Sequence, residues 1–113
     1  MNTESAVYIL SALAHETRLS VVRQLIKGGE MSAGDLATTL RASPSTLSAH
    51  LKDLKSAGII SSTRKGRFIH YQANIQIVGD LISFLFLECC NGQPEACSPQ
   101  LRFLEVISDT KDI

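Results

Sequence analysis

Apolar positions fall at helical spacing along most of the chain, and in one region they give way to β-rich runs. Glu4 to Leu13 reads as a short helix with Val7, Leu10 and Leu13 on one side and Ile9 nearby. Thr17 to Lys27 repeats the pattern through Leu19, Val22, Leu25 and Ile26 and stops at Gly28-Gly29. Ser32-Ala33-Gly34-Asp35 has the form of a capping arrangement and opens a helix through Leu36, Ala37 and Leu40.

The stretch from Arg41 to Gly58 predicts a helix with a small polar face. Ser43 is a suitable N-cap, and Pro44 fits the first helical position, where its missing N–H would be unpaired anyway. Leu47, Leu51 and Leu54 form an inward stripe, and Gly58 ends the helix. Opposite the stripe lie Ser45, Ala49, Lys52 and Ser56, flanked by Ser48 and Lys55. Small, uncharged or basic side chains of this kind can approach base edges and phosphates where bulky or acidic ones could not. Two short helices joined by the turn at Arg41–Ser43, the second with such a face, form a helix-turn-helix pattern.

After Gly58 the period changes. Ile59–Thr63 and Phe68–Gln72 flank Arg64-Lys65-Gly66-Arg67, which predicts a β-hairpin with a basic tip. Asn74 can cap a helix from Ile75 to about Cys89 that is apolar nearly all round and must be covered on more than one side. A second subunit, with help from the first helix, would supply that cover. Ser98-Pro99 starts a short final helix through Leu101, Leu104 and Ile107.

Composition sharpens this picture. A chain of 113 residues is one domain, with little core to spare if it stands alone. The net charge is zero, which by itself argues against nucleic acid, but the charge is unevenly placed. Arg41 to Tyr71 holds six Lys/Arg and one acid, while the remainder holds five basic and ten acidic residues. A basic middle between acidic ends marks a localised polyanion site. Met1 to Ala6 is polar and lacks a leader pattern, and the apolar run near Leu81–Leu87 is too short to span a bilayer, so a cytoplasmic protein without membrane contact is expected. Three cysteines, an odd number in a reducing compartment, favour free thiols or ligands over a disulfide framework.

Three segments, in order and spacing, resemble the arsenic-repressor (ArsR/SmtB) family of bacterial winged-helix repressors. Leu13-Ala14-His15-Glu16-Thr17-Arg18-Leu19 is similar to the family's opening signature, with Glu16 where proline is usual. Ser45 to Ile60 resembles its recognition helix, and Arg64 to Tyr71 its wing. The likeness covers roughly residues 5–90. It implies a mainly α fold with a β-hairpin wing, a winged helix-turn-helix of residues 1–113 with dimerisation helices at about 5–13 and 75–90, to which the cysteine positions add a sensor loop at 88–98. It also implies a homodimer that binds double-stranded operator DNA and leaves it when an inducer binds. On this reading Ser45, Ser48, Ala49 and Lys52 approach bases. Ser43, Thr46, His50, Lys55 and the wing cations Arg64, Lys65 and Arg67 mostly hold phosphates. His15 is expected as a loop or capping residue and His70 as a strand residue near the DNA backbone, with no histidine at ligand spacing to another.

The familiar sensor sites are missing. The arsenic type often places a Cys-x-Cys pair where this chain has Glu30–Leu36, without cysteine. The zinc type uses Asp and His pairs on the last long helix, and Asp80 has no histidine downstream. What remains is Glu88-Cys89-Cys90-Asn91-Gly92-Gln93-Pro94-Glu95-Ala96-Cys97, which contains every cysteine. Arsenite or antimonite is satisfied by three sulfurs in a pyramid, so Cys89, Cys90 and Cys97 suffice as ligands for an As(III) or Sb(III) inducer, with no organic cofactor. Cys89 and Cys90 point about 100° apart in a helix and would share an ion only where the helix end unwinds. Some relatives in the family's arsenic branch carry a similar cluster there. Other readings stay open. Zinc or another thiophilic metal would recruit Glu88 or Glu95, a redox dithiol would respond to oxidation, and inert cysteines would leave a constitutive DNA-binding module. A small thiol-dependent reductase is the alternative of another class. It lacks a cofactor loop, a Cys-x-x-Cys and a group placed to activate a nucleophile.

Overall fold

The computed structural model describes residues 1–89, with side chains through Phe86. The order is α1 (Thr3–Leu13), α2 (Glu16–Gly28), β1 (Met31–Ser32), α3 (Ala33–Leu40), α4 (Pro44–Ser56), β2 (Ile60–Lys65), β3 (Phe68–Ala73) and α5 (Ile75–Cys89). The expected final helix, the sensor loop beyond Cys89, and Cys90 and Cys97 lie outside the described residues.

Local chemistry places α3 and α4. Ser32 caps α3 by accepting from the Asp35 N–H at 3.1 Å. Arg41 then turns the chain in the left-handed region, φ 54°, while the Ala42 N–H reaches back to the Ala37 carbonyl at 3.0 Å. Ser43 caps α4 by accepting from the Thr46 N–H, and Pro44 takes the first turn. At the other end Gly58 adopts φ 78°, which lets Ile59 N–H close on the Leu54 carbonyl at 3.1 Å and drops Ile59 and Ile60 into the core. Leu47, Leu51 and Leu54 are buried as the sequence stripe requires, beside Leu36 of α3 and Val21 of α2. Each contributes roughly 1.5–3 kcal/mol of transfer free energy. On α2 the inward residues are Val21, Val22 and Leu25. Leu19, placed on that stripe by the sequence, is exposed.

The hairpin is tighter and the sheet larger than expected. Lys65 faces Phe68 across a two-residue Gly66-Arg67 turn, with Gly66 at φ 66°, so Arg64 and Lys65 belong to the strand. β1 adds a third antiparallel strand, pairing Met31 with Tyr71 and Ser32 with His70. It ties the start of the helix-turn-helix to the wing. Asn74 joins wing to α5: its Nδ2 donates to the Gly58 carbonyl at 3.1 Å and its Oδ1 accepts from the Ile77 N–H at 3.3 Å.

α1 corrects the sequence reading. Ala6 and Ile9 face the core, with Leu13 partly packed against it, whereas Val7, Tyr8 and Leu10 are exposed. The expected inward pair Val7 and Leu10 points outward, and Ala6 and Ile9 take the inward positions of α1. α5 is only half covered: Leu81 is buried, Ile77, Val78 and Phe84 pack against the core, and Ile75 and Leu85 are exposed.

Candidate nucleic-acid interface

The face of α4 opposite its leucine stripe is open. Ser45, Ser48, Ala49 and Lys52 are exposed, as are Ser43, Thr46 and Lys55 on its flanks. Ser43 Oγ also donates to Thr46 Oγ1 at 2.8 Å, so these two hydroxyls are held together at the helix N-terminus. Small side chains along this face leave the backbone close to anything laid against it, and Lys52 and Lys55 add positive charge.

His50 is placed differently. It is half-buried on the flank of α4, and its Nδ1 accepts from Arg18 Nε at 3.0 Å. Arg18 also pairs with Asp53, the one acid of this region. The ring of His15 lies against that of His50, with centroids 4.2 Å apart. No two histidines stand at ligand spacing along the chain, and the fold nevertheless brings these two into contact. Burial and the neighbouring His15 and Arg18 push the His50 pKa down, against an opposing pull from Asp53. His15 is a cap, as expected: its Nδ1 accepts from the Thr17 N–H at 3.2 Å. Arg18 and Asp53 were not singled out in the sequence. The available signal is spacing, since His15, the cap of α2, and Arg18 sit three apart as His50 and Asp53 do on α4.

The three wing cations are not equivalent. Lys65 Nζ bonds to Glu30 Oε2 at 2.7 Å, and Arg64 Nε turns to the Gly66 carbonyl at 3.3 Å. Arg67, at the turn itself, is exposed and makes no ion pair among the described residues. The Lys65 hydrogen bond is the chief reason the Glu30 carboxyl lies below its ordinary range; partial burial opposes it, and the charges of Lys65 and His70 add to it. His70, in β3, is half-buried opposite Ser32 and Thr63.

The cysteines expected as sensor ligands fall at the far end of the chain. Cys89 is the last residue of α5, and its side chain, like Cys90, Cys97 and Glu95, lies outside the described part. Among the described residues no three His, Cys, Asp or Glu side chains gather as a metal site, and no helix is long and apolar enough to cross a membrane. The Asp80 carboxylate accepts from Gln76 at 2.9 Å.

The profile of the family described as "Bacterial regulatory protein, arsR family" matches residues 15–62, which run from the cap of α2 into β2. The chain is 39% identical over 77 residues to the transcriptional repressor SdpR of Bacillus subtilis (strain 168), covering 68% of this chain and 84% of that one. It is 34% identical over 71 residues to the arsenical resistance operon repressor of Escherichia coli (strain K12), covering 63% and 61%. In three dimensions it is similar to the homodimeric winged helix-turn-helix DNA-binding domain Mb0332 of Mycobacterium bovis, with TM-score 0.63 and 27% identity over 76% of this chain and 79% of that one.

Proposed function

The chain belongs to the arsR family of bacterial regulatory proteins, and on that footing we propose that it is a dimeric repressor released from operator DNA when Cys89, Cys90 and Cys97 bind trivalent arsenic or antimony. Its fold and relatives are those of DNA-binding transcriptional regulators and not of enzymes, which sets aside the thiol-reductase alternative.

Support for operator contact comes from the open face of α4. Ser45, Ser48, Ala49 and Lys52 would meet bases, and Ser43, Thr46, His50, Lys55, Arg64, Lys65 and Arg67 would hold mainly phosphates. In a two-fold dimer the two copies of α4 would enter successive major grooves about 34–36 Å apart. Support for the dimer comes from Val7, Tyr8 and Leu10 on α1 and Ile75 and Leu85 on α5, apolar side chains that one chain leaves uncovered. A second copy laid against both helices would bury them.

The observation that carries the inducer is the gathering of every cysteine between Cys89 and Cys97, where α5 closes. Three thiolates match the pyramidal preference of a trivalent pnictogen, and they would be deprotonated by the ion they bind. Similarity to an arsenical resistance operon repressor fits a soft metal or metalloid inducer without choosing among them, so the choice rests on the three thiols. Binding at the end of a dimerisation helix would change the angle between subunits and with it the spacing of the two α4 helices. Converting a 99:1 preference for the DNA-binding form into 1:99 requires roughly 5.5 kcal/mol of differential affinity, and DNA must weaken the ligand by the same coupling.

The test is arsenite binding to the reduced full-length chain, followed by thiolate absorbance. One ion per chain, lost when any one of the three cysteines is changed to Ser, is expected. Equal uptake by the triple Ser variant refutes the site, and binding of cadmium without arsenite transfers the role to another thiophilic metal.

A further inference from the structure

Arg18 of α2 reaches α4 and engages two residues nearly one turn apart. Its Nε donates to His50 Nδ1 at 3.0 Å, and its guanidinium pairs with the Asp53 carboxylate. The planar guanidinium has fixed N–H directions, so a two-point contact of this kind restrains orientation as a flexible ammonium could not. The Arg18 side chain is 21% exposed, so it is held at the margin of the core and not waving in solvent.

The contact also fixes a proton. A neutral imidazole carries one N–H; with Nδ1 of His50 accepting from Arg18, the hydrogen is on Nε2. That Nε2–H finds no hydrogen-bond partner among the described residues. His15 packs on the ring from the cap of α2 and limits how it can turn.

We propose that Arg18 is the positioning residue of α4: through His50 and Asp53 it sets how the helix sits in the major groove, and by occupying His50 Nδ1 it makes Nε2–H a donor to the operator. This rests on the chain being an operator-binding protein. The groups facing His50 are His15 and Arg18 from the start of α2 and Asp53 from α4; burial first, then His15 and Arg18, hold its pKa below the ordinary imidazole value against the opposing pull of Asp53. Protonation would place a hydrogen on Nδ1 and leave Arg18 Nε without an acceptor. The clamp is therefore intact above the ordinary imidazole pKa and opens as pH falls through the lowered one.

The experiment uses the full-length chain and its Arg18→Met variant. Imidazole nitrogen NMR reads the tautomer and titration of His50 without DNA. Affinity is then measured for a duplex selected by the wild type from a random-sequence library, and for the same duplex scrambled. The expected results are a wild-type His50 protonated on Nε2, a rise in its pKa in Arg18→Met, and about a tenfold loss of preference for the selected duplex, because α4, no longer held by Arg18, brings Ser45, Ser48, Ala49 and Lys52 to the bases out of register. The salt dependence should not change, because Arg18 is not itself a phosphate ligand. Equal weakening on both duplexes with a shallower salt dependence would make Arg18 a phosphate contact and overturn the proposal, as would an unmoved His50 titration. If Arg18→Met does not fold, the wild-type tautomer decides alone, and a proton on Nδ1 overturns it. A wild type with the clamp in place that selects no duplex overturns the operator-binding reading itself, a result distinct from these.

Discussion

Replacing Val7 and Leu10 together by Ser should separate the dimer from the fold. The two side chains are 55% and 42% exposed in the single chain. Complete burial of such a side chain is worth about 2 kcal/mol, so covering what remains open contributes about 1 kcal/mol for each. A symmetric contact covers both twice, giving about 4 kcal/mol for the dimer, close to three powers of ten in its dissociation constant. Sedimentation equilibrium of wild type and variant measures that change directly. Helix content and the monomer's unfolding transition should stay nearly constant, because the core takes Ala6 and Ile9 from α1. An unchanged dissociation constant would refute the assignment of this face to the dimer contact. Loss of the folded monomer would show that Val7 and Leu10 hold the fold instead.

Three further outcomes follow from local features. Arg41→Gly should raise stability by about 0.5 kcal/mol, and the melting temperature by about 2–4 °C, because it relieves a left-handed non-glycine residue while adding freedom to the unfolded chain. Leu51→Ala, at a position only 1% exposed, should cost about 2–5 kcal/mol in denaturant titration, a large share of a small domain's stability. Lys65→Met should return the Glu30 carboxyl toward its ordinary pKa, as read by carboxyl NMR. In the wild type that ion pair stabilises the wing above the ordinary carboxylate range, and its contribution is lost as pH falls through the lowered Glu30 value.

How far the fold was legible depended on whether its cause was local. α4 could be placed because Ser43, Pro44, the Leu47/Leu51/Leu54 stripe and Gly58 each act within a turn or two of their neighbours. The hairpin followed from the change of period and from Gly66. α1 is legible as a helix, but its inward face is not. An apolar stripe such as Val7 and Leu10 records that water is avoided and does not record what covers it. β1 is two residues long, too short for any alternation to show, and exists because β3 offers it an edge. The exposed face of α4 was visible as a periodic pattern. The Arg18, His50 and Asp53 contact joins positions more than thirty residues apart and needed the packing of α2 on α4 to appear. Likewise, the three wing cations look alike in sequence, and only the fold pairs Lys65 with Glu30.

The most direct test of the account is titration of arsenite into a complex of the reduced full-length dimer with its selected operator duplex, followed by fluorescence anisotropy of labelled DNA. Release of the duplex as arsenite fills one site per chain, abolished when Cys89, Cys90 and Cys97 are all changed to Ser, is the predicted result. A duplex that stays bound at saturating arsenite, or that the triple variant releases equally well, contradicts it.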